Sequence, residues 1–173
     1  MSRLTIEQAP AWVARLGERH RRAALRGLLG AAQRTVEHVV ELIAREPRVP
    51  VDRGIYRAGW RARALPDGAM VSNDTPHAAL IEDGVRGENV KPGRAMIDAL
   101  AAWVARKGLT GGARGEERAA AARQIAWAIA KSMQAKGIFS GGKGLQIFER
   151  ARKRIPEFID EEVMRELSRS GEH

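Results

Sequence analysis

The histidines and carboxylates of this sequence are spaced unsuitably for a metal site or for paired acid–base catalysis. The chain has four histidines, and no two of them lie three or four residues apart. His20 and His38 share a helical angle, but a helix would separate them by about 27 Å. The adjacent acids at residues 116–117 and 160–162 would point in different directions from a helix. We therefore expect solvated or partly buried side chains, with no metal and no cofactor.

A glycine-rich segment at residues 137–144, GIFSGGKG, is close to the phosphate-binding loop of nucleotide hydrolases. In that loop the lysine is followed by Ser or Thr, which holds magnesium, but here Lys143 is followed by Gly144. The segment also follows a predicted helix, whereas phosphate binding needs a buried strand to direct the backbone N–H groups. A connection between helices is the expectation. An enzyme acting on nucleotides stays as an alternative that rests on this loop alone.

The composition is that of a globular chain with a packed core. Of its 173 residues, 44% are hydrophobic and 29% are charged, which argues against extensive disorder. Cysteine is absent, so disulfides, thiolate nucleophiles and thiolate metal sites are excluded. No run of apolar residues is long enough for a membrane helix or a signal peptide, so we expect the chain to be made in the cytoplasm without membrane contact.

The net charge of +9 is concentrated in the N-terminal third. Residues 1–63 hold 13 arginines against 6 acids, whereas residues 143–173 hold 7 basic and 7 acidic residues. Such a bias favours encounter with nucleic acid or with an acidic protein surface. A solvated helix face that keeps the protein in solution explains the same pattern, and both interpretations stay open.

Apolar residues recur at three- and four-residue spacing over residues 18–46, which predicts one long amphipathic helix. Its stripe consists of Leu25, Leu28, Leu29, Ala32, Val36, Val39, Val40 and Ile43. Trp12 falls away from this stripe, and Gly17 lies between, so a short helix is expected before the long one. Pro47 and Pro50 end the long helix, because neither can donate a backbone hydrogen bond.

Arginines line one edge of this predicted helix. Arg19, Arg22 and Arg26 recur at three- and four-residue spacing beside the apolar stripe. Their aliphatic stems can cover the core while their guanidinium groups reach outwards. We expect an acidic partner to dock on this edge.

The pattern then changes to that of a β-hairpin. Residues 56–65 and 69–73 flank Pro66-Asp67-Gly68, a turn signature in which glycine accepts positive φ. Thr75 and Pro76 then suit the cap and first turn of a short helix, which Gly84 ends.

The second half is predicted to be mainly helical. Residues 85–93 are expected to form an exposed loop. A helix over residues 96–104 and another over residues 116–136 follow, separated by a glycine-rich loop. Two closing helices are expected around residues 145–148 and 158–167. The four tryptophans lie in or beside apolar patterns, so core packing is expected for them, with a subunit interface as the alternative for a minority.

These elements predict an α+β fold, in which a long N-terminal helix packs on a small antiparallel β-sheet, the hairpin, and several C-terminal helices follow. We expect one domain over residues 1–173. It comprises N-terminal helices in residues 1–46, the hairpin and motif region in residues 51–84, and a helical part in residues 94–170.

The motif region carries a resemblance to a known family. It reads VDRGIYRAGW at residues 51–60 and VSNDTPHAALIEDG at residues 71–84. In order, these segments resemble the small head–tail joining, neck or tail-completion proteins of tailed double-stranded DNA bacteriophages. The residues that carry the resemblance, or the turns within it, are Asp52, Gly54, Tyr56, Trp60, Asn73, Pro76, Ala79, Glu82 and Gly84.

The resemblance implies a non-enzymatic virion protein at the head–tail junction, as a neck, tail-completion or tail-terminator subunit. It implies a homo-oligomeric ring, a hexamer or dodecamer, that joins the head connector to the tail proteins. Packaged DNA in the lumen is a further candidate contact. A ring needs two different complementary faces on each subunit, and our candidates are Arg19, Arg22 and Arg26 on one side and the loop with Arg86 on the other.

A basic regulatory protein that binds nucleic acid is the alternative. It is motivated by the sequence pI near 10.9 and by the arginine-bearing helix. That hypothesis requires DNA affinity that falls steeply with salt.

Overall fold

The computed structural model describes residues 3–6, 17–47, 54–138 and 142–171. Its strands are β1 (Arg3–Ile6), β2 (Trp60–Leu65) and β3 (Gly68–Asn73). Its helices are α1 (Glu18–Arg45), α2 (Ile55–Ala58), α3 (Ala78–Asp83), α4 (Arg94–Arg106), α5 (Gly115–Lys136), α6 (Ile147–Arg152) and α7 (Ile155–Gly171), with a 3-10 turn at Gly87–Asn89. The predicted α+β class is confirmed.

The contacts divide the chain into two compact units. The first comprises Met1–Glu82 with Gln146–His173, and the second comprises Asp83–Leu145. The prediction of a single domain stays a prediction. No helix in the described segments is long and apolar enough to span a bilayer.

The long helix α1 is confirmed within one residue of its predicted end. Its buried face differs from the predicted stripe, because alanines and glycine lie deepest: Ala23, Ala24, Gly27, Leu28, Ala31, Ala32, Thr35, Val39 and Ile43. Leu25, Leu29, Val36 and Val40 are only partly buried. Small residues allow the neighbouring backbone to approach closely, so the helix packs through its small side chains as much as through its large ones.

At Gly27 the backbone of α1 approaches the backbone of α7 closely. A Cβ atom at this position would lie 2.5 Å from the Cα atom of Val163. No side chain fits there without moving one of the two helices. The glycine therefore sets the separation of α1 and α7 in the first unit.

The sheet has the order β1-β3-β2, and both pairings are antiparallel. In the predicted hairpin, Trp60 pairs with Asn73 and Leu65 with Gly68. β1, which the sequence analysis did not predict, pairs Arg3 with Ser72. The helix α1 packs on β2 and β3.

The predicted start of the hairpin at Tyr56 is wrong. Residues Ile55–Ala58 form the one-turn helix α2, and the strand begins at Trp60. Gly54 precedes this turn with φ of +64°, and its carbonyl accepts a hydrogen bond from Ala58 N at 2.9 Å. The left-handed glycine reverses the chain into a helical turn, which the partial alternation of residues 56–65 concealed.

In the second unit the helices α4 and α5 pack on each other. Ile97, Ala126 and Ala130 form its buried centre, with Met96, Leu100 and Ala101 around them. The prediction that residues 85–93 are an exposed loop is partly wrong. Val85 forms a β-bridge with Ile138, and Val90 is buried. The expected helices of the second half are otherwise confirmed, and the last two are α6 and α7.

Candidate functional site

The carboxyl group of Glu82, a motif residue of α3, lies buried and is bonded by a second motif residue, Tyr56. The hydroxyl of Tyr56, also buried, donates a hydrogen bond to Oε1 of Glu82. The backbone N–H of Phe148 donates to Oε2 at 3.0 Å. Both carboxyl oxygens therefore accept hydrogen bonds, which offsets the cost of burying the group.

The backbone of Glu82 adds a further link to the same region. Its carbonyl accepts a hydrogen bond from Gln146 N at 3.2 Å. Gln146 has a positive φ of 50° and stands immediately before α6. Glu82 thus fixes the start of α6 by its side chain and its backbone.

Aromatic rings surround this carboxyl group. Trp60 stacks on Phe148 with ring centroids 5.6 Å apart and an interplanar angle of 10°. Tyr56 meets Trp60 edge to face at 6.0 Å. All three side chains are buried. Their packing adds the stabilisation of aromatic pairs to the hydrogen bonds and confirms the expected burial of Trp60.

Asn73, at the end of β3, ties the same cluster to the turn before α3. Its side-chain N–H donates to the carbonyl of Tyr56 at 2.9 Å. Its Oδ1 accepts from the backbone N–H of Thr75 at 3.1 Å and from the Thr75 hydroxyl at 2.7 Å. An asparagine is suited to this position because one amide both donates and accepts.

The remaining motif residues are structural. Pro76 is exposed ahead of α3, and Ala79 is partly buried within it. Gly84 ends the helix with φ of +68°, and a Cβ there would lie 2.3 Å from Gly144 N. Gly84 therefore cannot be replaced without strain. Asp52 lies outside the described residues.

Burial is the main cause that raises the pKa of Tyr56, and the hydrogen bond to Glu82 raises it further. The phenol is consequently held in its neutral form, as a hydrogen-bond donor. A phenol locked in this way is a poor acid–base group. The network built on Glu82 holds α2, α3 and the start of α6 together.

Two of the three arginines on the predicted edge of α1 already form ion pairs within the chain. Arg26 Nε donates to Glu166 of α7 at 2.9 Å, and this hydrogen bond is the main cause that lowers the pKa of Glu166. Arg22 pairs with Glu18 in its own helix at 2.9 Å. Arg19 is exposed. Arg19 and Arg22 thus remain at the surface as candidate contacts, whereas Arg26 already joins two helices.

A further arginine, Arg34, has a role that the sequence analysis missed. It bonds Glu161 and Glu162 of α7, and its guanidinium lies 4.6 Å from the ring centroid of Phe158. The hydrogen bond to Glu161 is the main cause that raises the pKa of Arg34. The acidic residues of α7 thereby compensate part of the positive charge of α1. The sequence carries no signal for these contacts of Arg34, because α1 and α7 are distant in the chain and meet only in the folded structure.

Arg86 and Trp127 are the other surface features of note. The side chain of Arg86 is 77% exposed, and Glu88 lies 4.0 Å away. Trp127 is 49% exposed, so the expectation of core packing is wrong for this tryptophan. It borders a groove in the second unit.

Histidines, acids and the glycine-rich segment are the other groups with possible chemistry in the described part of the chain. No group of three His, Asp or Glu residues there could hold a metal ion. His38 lies 3.7 Å from Glu41 and packs against Phe158. The glycine-rich segment follows α5, not a buried strand, and Gly142 packs closely on the backbone of Arg86.

Comparisons with protein-family models, with curated proteins and with solved structures find no match to this chain.

Proposed function

We propose that the chain is a non-enzymatic subunit of the head–tail junction of a tailed double-stranded DNA bacteriophage. In this role, copies of the chain form a ring that joins the head connector to the tail. The observation that carries the proposal is the buried network of Tyr56, Asn73 and Glu82. These three residues, on which the resemblance partly rests, form a network that holds the surrounding helices and strands in place.

The network supports this role because it links several helices and strands through buried hydrogen bonds. Glu82 links α3 to α2 through Tyr56 and to the start of α6 through Phe148. Asn73 links β3 to α2. A subunit that transmits force between head and tail needs such fixed elements, since its interfaces must keep one geometry.

The exposed arginines supply charged contacts for neighbouring subunits. Arg19 and Arg22 stand at the start of α1, and Arg86 stands in the second unit. Charged residues at an interface mainly select the partner and its orientation. The position of these residues supports them as candidate contacts with acidic surfaces of the connector or tail proteins.

Deletion of the gene from the phage tests this function. We expect DNA-filled heads and separate tails to accumulate, and joining to be restored by the wild-type chain supplied in trans. The double variant Arg19→Glu/Arg22→Glu should restore joining poorly. Lys136→Glu, a charge reversal at the far end of α5, is the matched control and should restore it fully. Normal joining after deletion contradicts the proposal.

A nucleic-acid-binding regulator is the second candidate, favoured by the exposure of Arg57, Arg61 and Arg63 in addition to Arg19 and Arg22. Electrostatic binding of this kind weakens steeply as salt rises. Titration of duplex DNA at low and at physiological salt distinguishes the candidates. Specific binding that survives physiological salt, together with normal particle joining after deletion, favours the regulator.

A further inference from the structure

The most exposed aromatic side chain described lies on α5 of the second unit. Trp127 is 49% exposed, although a tryptophan gains most when its ring is buried. It borders a groove of about 350 Å³, lined by Pro92, Gly93, Arg94, Ile97, Asp98, Arg123 and Trp127. We call this feature the Trp127 groove. An exposed tryptophan beside a groove is typical of a surface that a partner covers.

The rim of the Trp127 groove is positively charged. Arg123 donates to Asp98 at 2.9 Å. Arg94 lies 3.8 Å from the other oxygen of Asp98, and its side chain is 91% exposed. One carboxylate therefore lies between two guanidinium groups. Arg94 has hydrogen-bond donors that remain open to an incoming carboxylate, which arginine can bind in a bidentate manner.

A surface of opposite character lies on α7 of the first unit. Its outward face carries Glu157, Asp160, Glu161 and Met164, which we call the acidic face. Met164 is 62% exposed, the largest exposure among the large hydrophobic residues described. Glu157 pairs with Arg154 and Glu161 with Arg34, but Asp160 has no ion pair among the described residues.

Asp160 and Met164 are spaced to present a charge and an apolar group together. Residues four apart on a helix lie on one face, about 5–6 Å from each other at Cβ. The groove presents a matching combination of Arg94 and Trp127. A thioether also packs favourably against an aromatic ring.

We propose that the acidic face of α7 in one copy of the chain docks into the Trp127 groove of the next copy. Met164 covers Trp127, and Asp160 accepts hydrogen bonds from Arg94. The two surfaces differ, so the contact is heterologous and propagates head to tail, as a ring requires. This contact deepens the proposed function and rests on it, because it names the surfaces through which the ring forms.

Complementary variants test the contact. The groove variant, Arg94→Glu/Trp127→Ala, loses the Trp127 groove and keeps the acidic face. The acidic-face variant, Asp160→Arg/Met164→Ala, loses the acidic face and keeps the groove. Each variant alone should self-associate roughly tenfold or more weakly than wild type, because both change central contact residues. A mixture should form dimers, since each supplies the face that the other lacks. Sedimentation at low salt measures the self-association of each variant and the dimer formed in the mixture. Leu109→Ala and Lys136→Glu are the controls and should associate like wild type.

Crosslinking extends the test to association too weak for sedimentation, and the chain's lack of cysteine makes it selective. Ser168→Cys is added to the groove variant and Ala95→Cys to the acidic-face variant. Mixed at about 1 mM with a short bismaleimide, they should give a crosslinked heterodimer. When the acidic-face variant carries Lys136→Cys in place of Ala95→Cys, the crosslinked heterodimer should not form. Absence of the heterodimer with folded variants, judged by circular dichroism, overturns the proposal.

The outcomes separate this contact from the proposed function. If rings join heads to tails while both variants assemble like wild type, the docking is wrong and the junction role stands. If the heterodimer forms but gene deletion leaves particles joined, the docking stands and the junction role is wrong. A groove that binds an added oligonucleotide and gives no heterodimer also overturns the docking.

Discussion

Tyr56 and Glu82 lie 26 residues apart in the chain, and the tyrosine hydroxyl donates a buried hydrogen bond to the glutamate carboxyl group. This bond connects the turn after Gly54 to the helix after Asn73, the two halves of the sequence motif. The order of residues in the motif thus has a physical basis, because each half supplies one partner of a buried pair.

Replacing Tyr56 by Phe should destabilise the fold by about 1–3 kcal/mol, because Oε1 of Glu82 loses its donor inside the protein. The cost should be smaller in a Glu82→Gln background, where a neutral amide replaces the carboxyl group. Urea unfolding of the four proteins of this double-mutant cycle measures the coupling. An equal cost of Tyr56→Phe in both backgrounds would show that the carboxylate charge of Glu82 adds nothing to the bond.

The single tyrosine of the chain gives a direct pH measurement. Burial and Glu82 raise the pKa of Tyr56, so the folded state holds the phenol proton more tightly than the unfolded state does. The stability from this group is therefore present below about pH 10, the ordinary phenol pKa, and is lost as pH rises above it. Absorbance at the phenolate band should show ionisation only together with unfolding. Reversible ionisation near pH 10 in the folded protein contradicts the burial.

Gly27→Ala should destabilise the first unit by about 1–3 kcal/mol, since the new Cβ meets the backbone of Val163 and α1 must move from α7. Gly30→Ala is the matched control in the same helix. There the nearest atom is the end of the Glu162 side chain, at 2.9 Å. A gain of about 1 kcal/mol in helix propensity should offset that contact. Thermal unfolding compares the two, and equal melting temperatures would disprove the close packing.

Charge reversal should separate the arginines of α1 into two groups. Arg26→Glu places a carboxylate beside Glu166 and should lower Tm by roughly 2–4 °C, the effect of about 1 kcal/mol in a chain of this size. Arg19→Glu should leave Tm unchanged or slightly raised, because an acid suits a helix N-terminus. A loss of Tm at Arg19 equal to that at Arg26 would contradict the assigned contacts.

Local patterns predicted those elements that local forces determine. The three- and four-residue spacing over residues 18–46 gave α1, and Pro66-Asp67-Gly68 gave the turn between β2 and β3. The same reasoning failed at Tyr56, whose helical turn depends on the positive φ of Gly54 and on the distant Glu82. The sequence alone carries no signal for that pairing.

The candidate surfaces were predicted in part for a similar reason. A helical wheel places Arg19, Arg22 and Arg26 on one edge, but only tertiary packing brings Glu166 to Arg26. Trp127 lies in an apolar pattern that predicts burial, yet the alanines of α5 fill the buried side of that helix. The described β1 was missed because four residues are too few for their periodicity to identify a strand.

Cryo-electron microscopy of phage particles that encode this chain tests its proposed role most directly. We expect a ring of copies between the head connector and the tail, with each copy presenting Trp127 to α7 of its neighbour. Joined, infectious particles in which the chain is absent from the junction would contradict it.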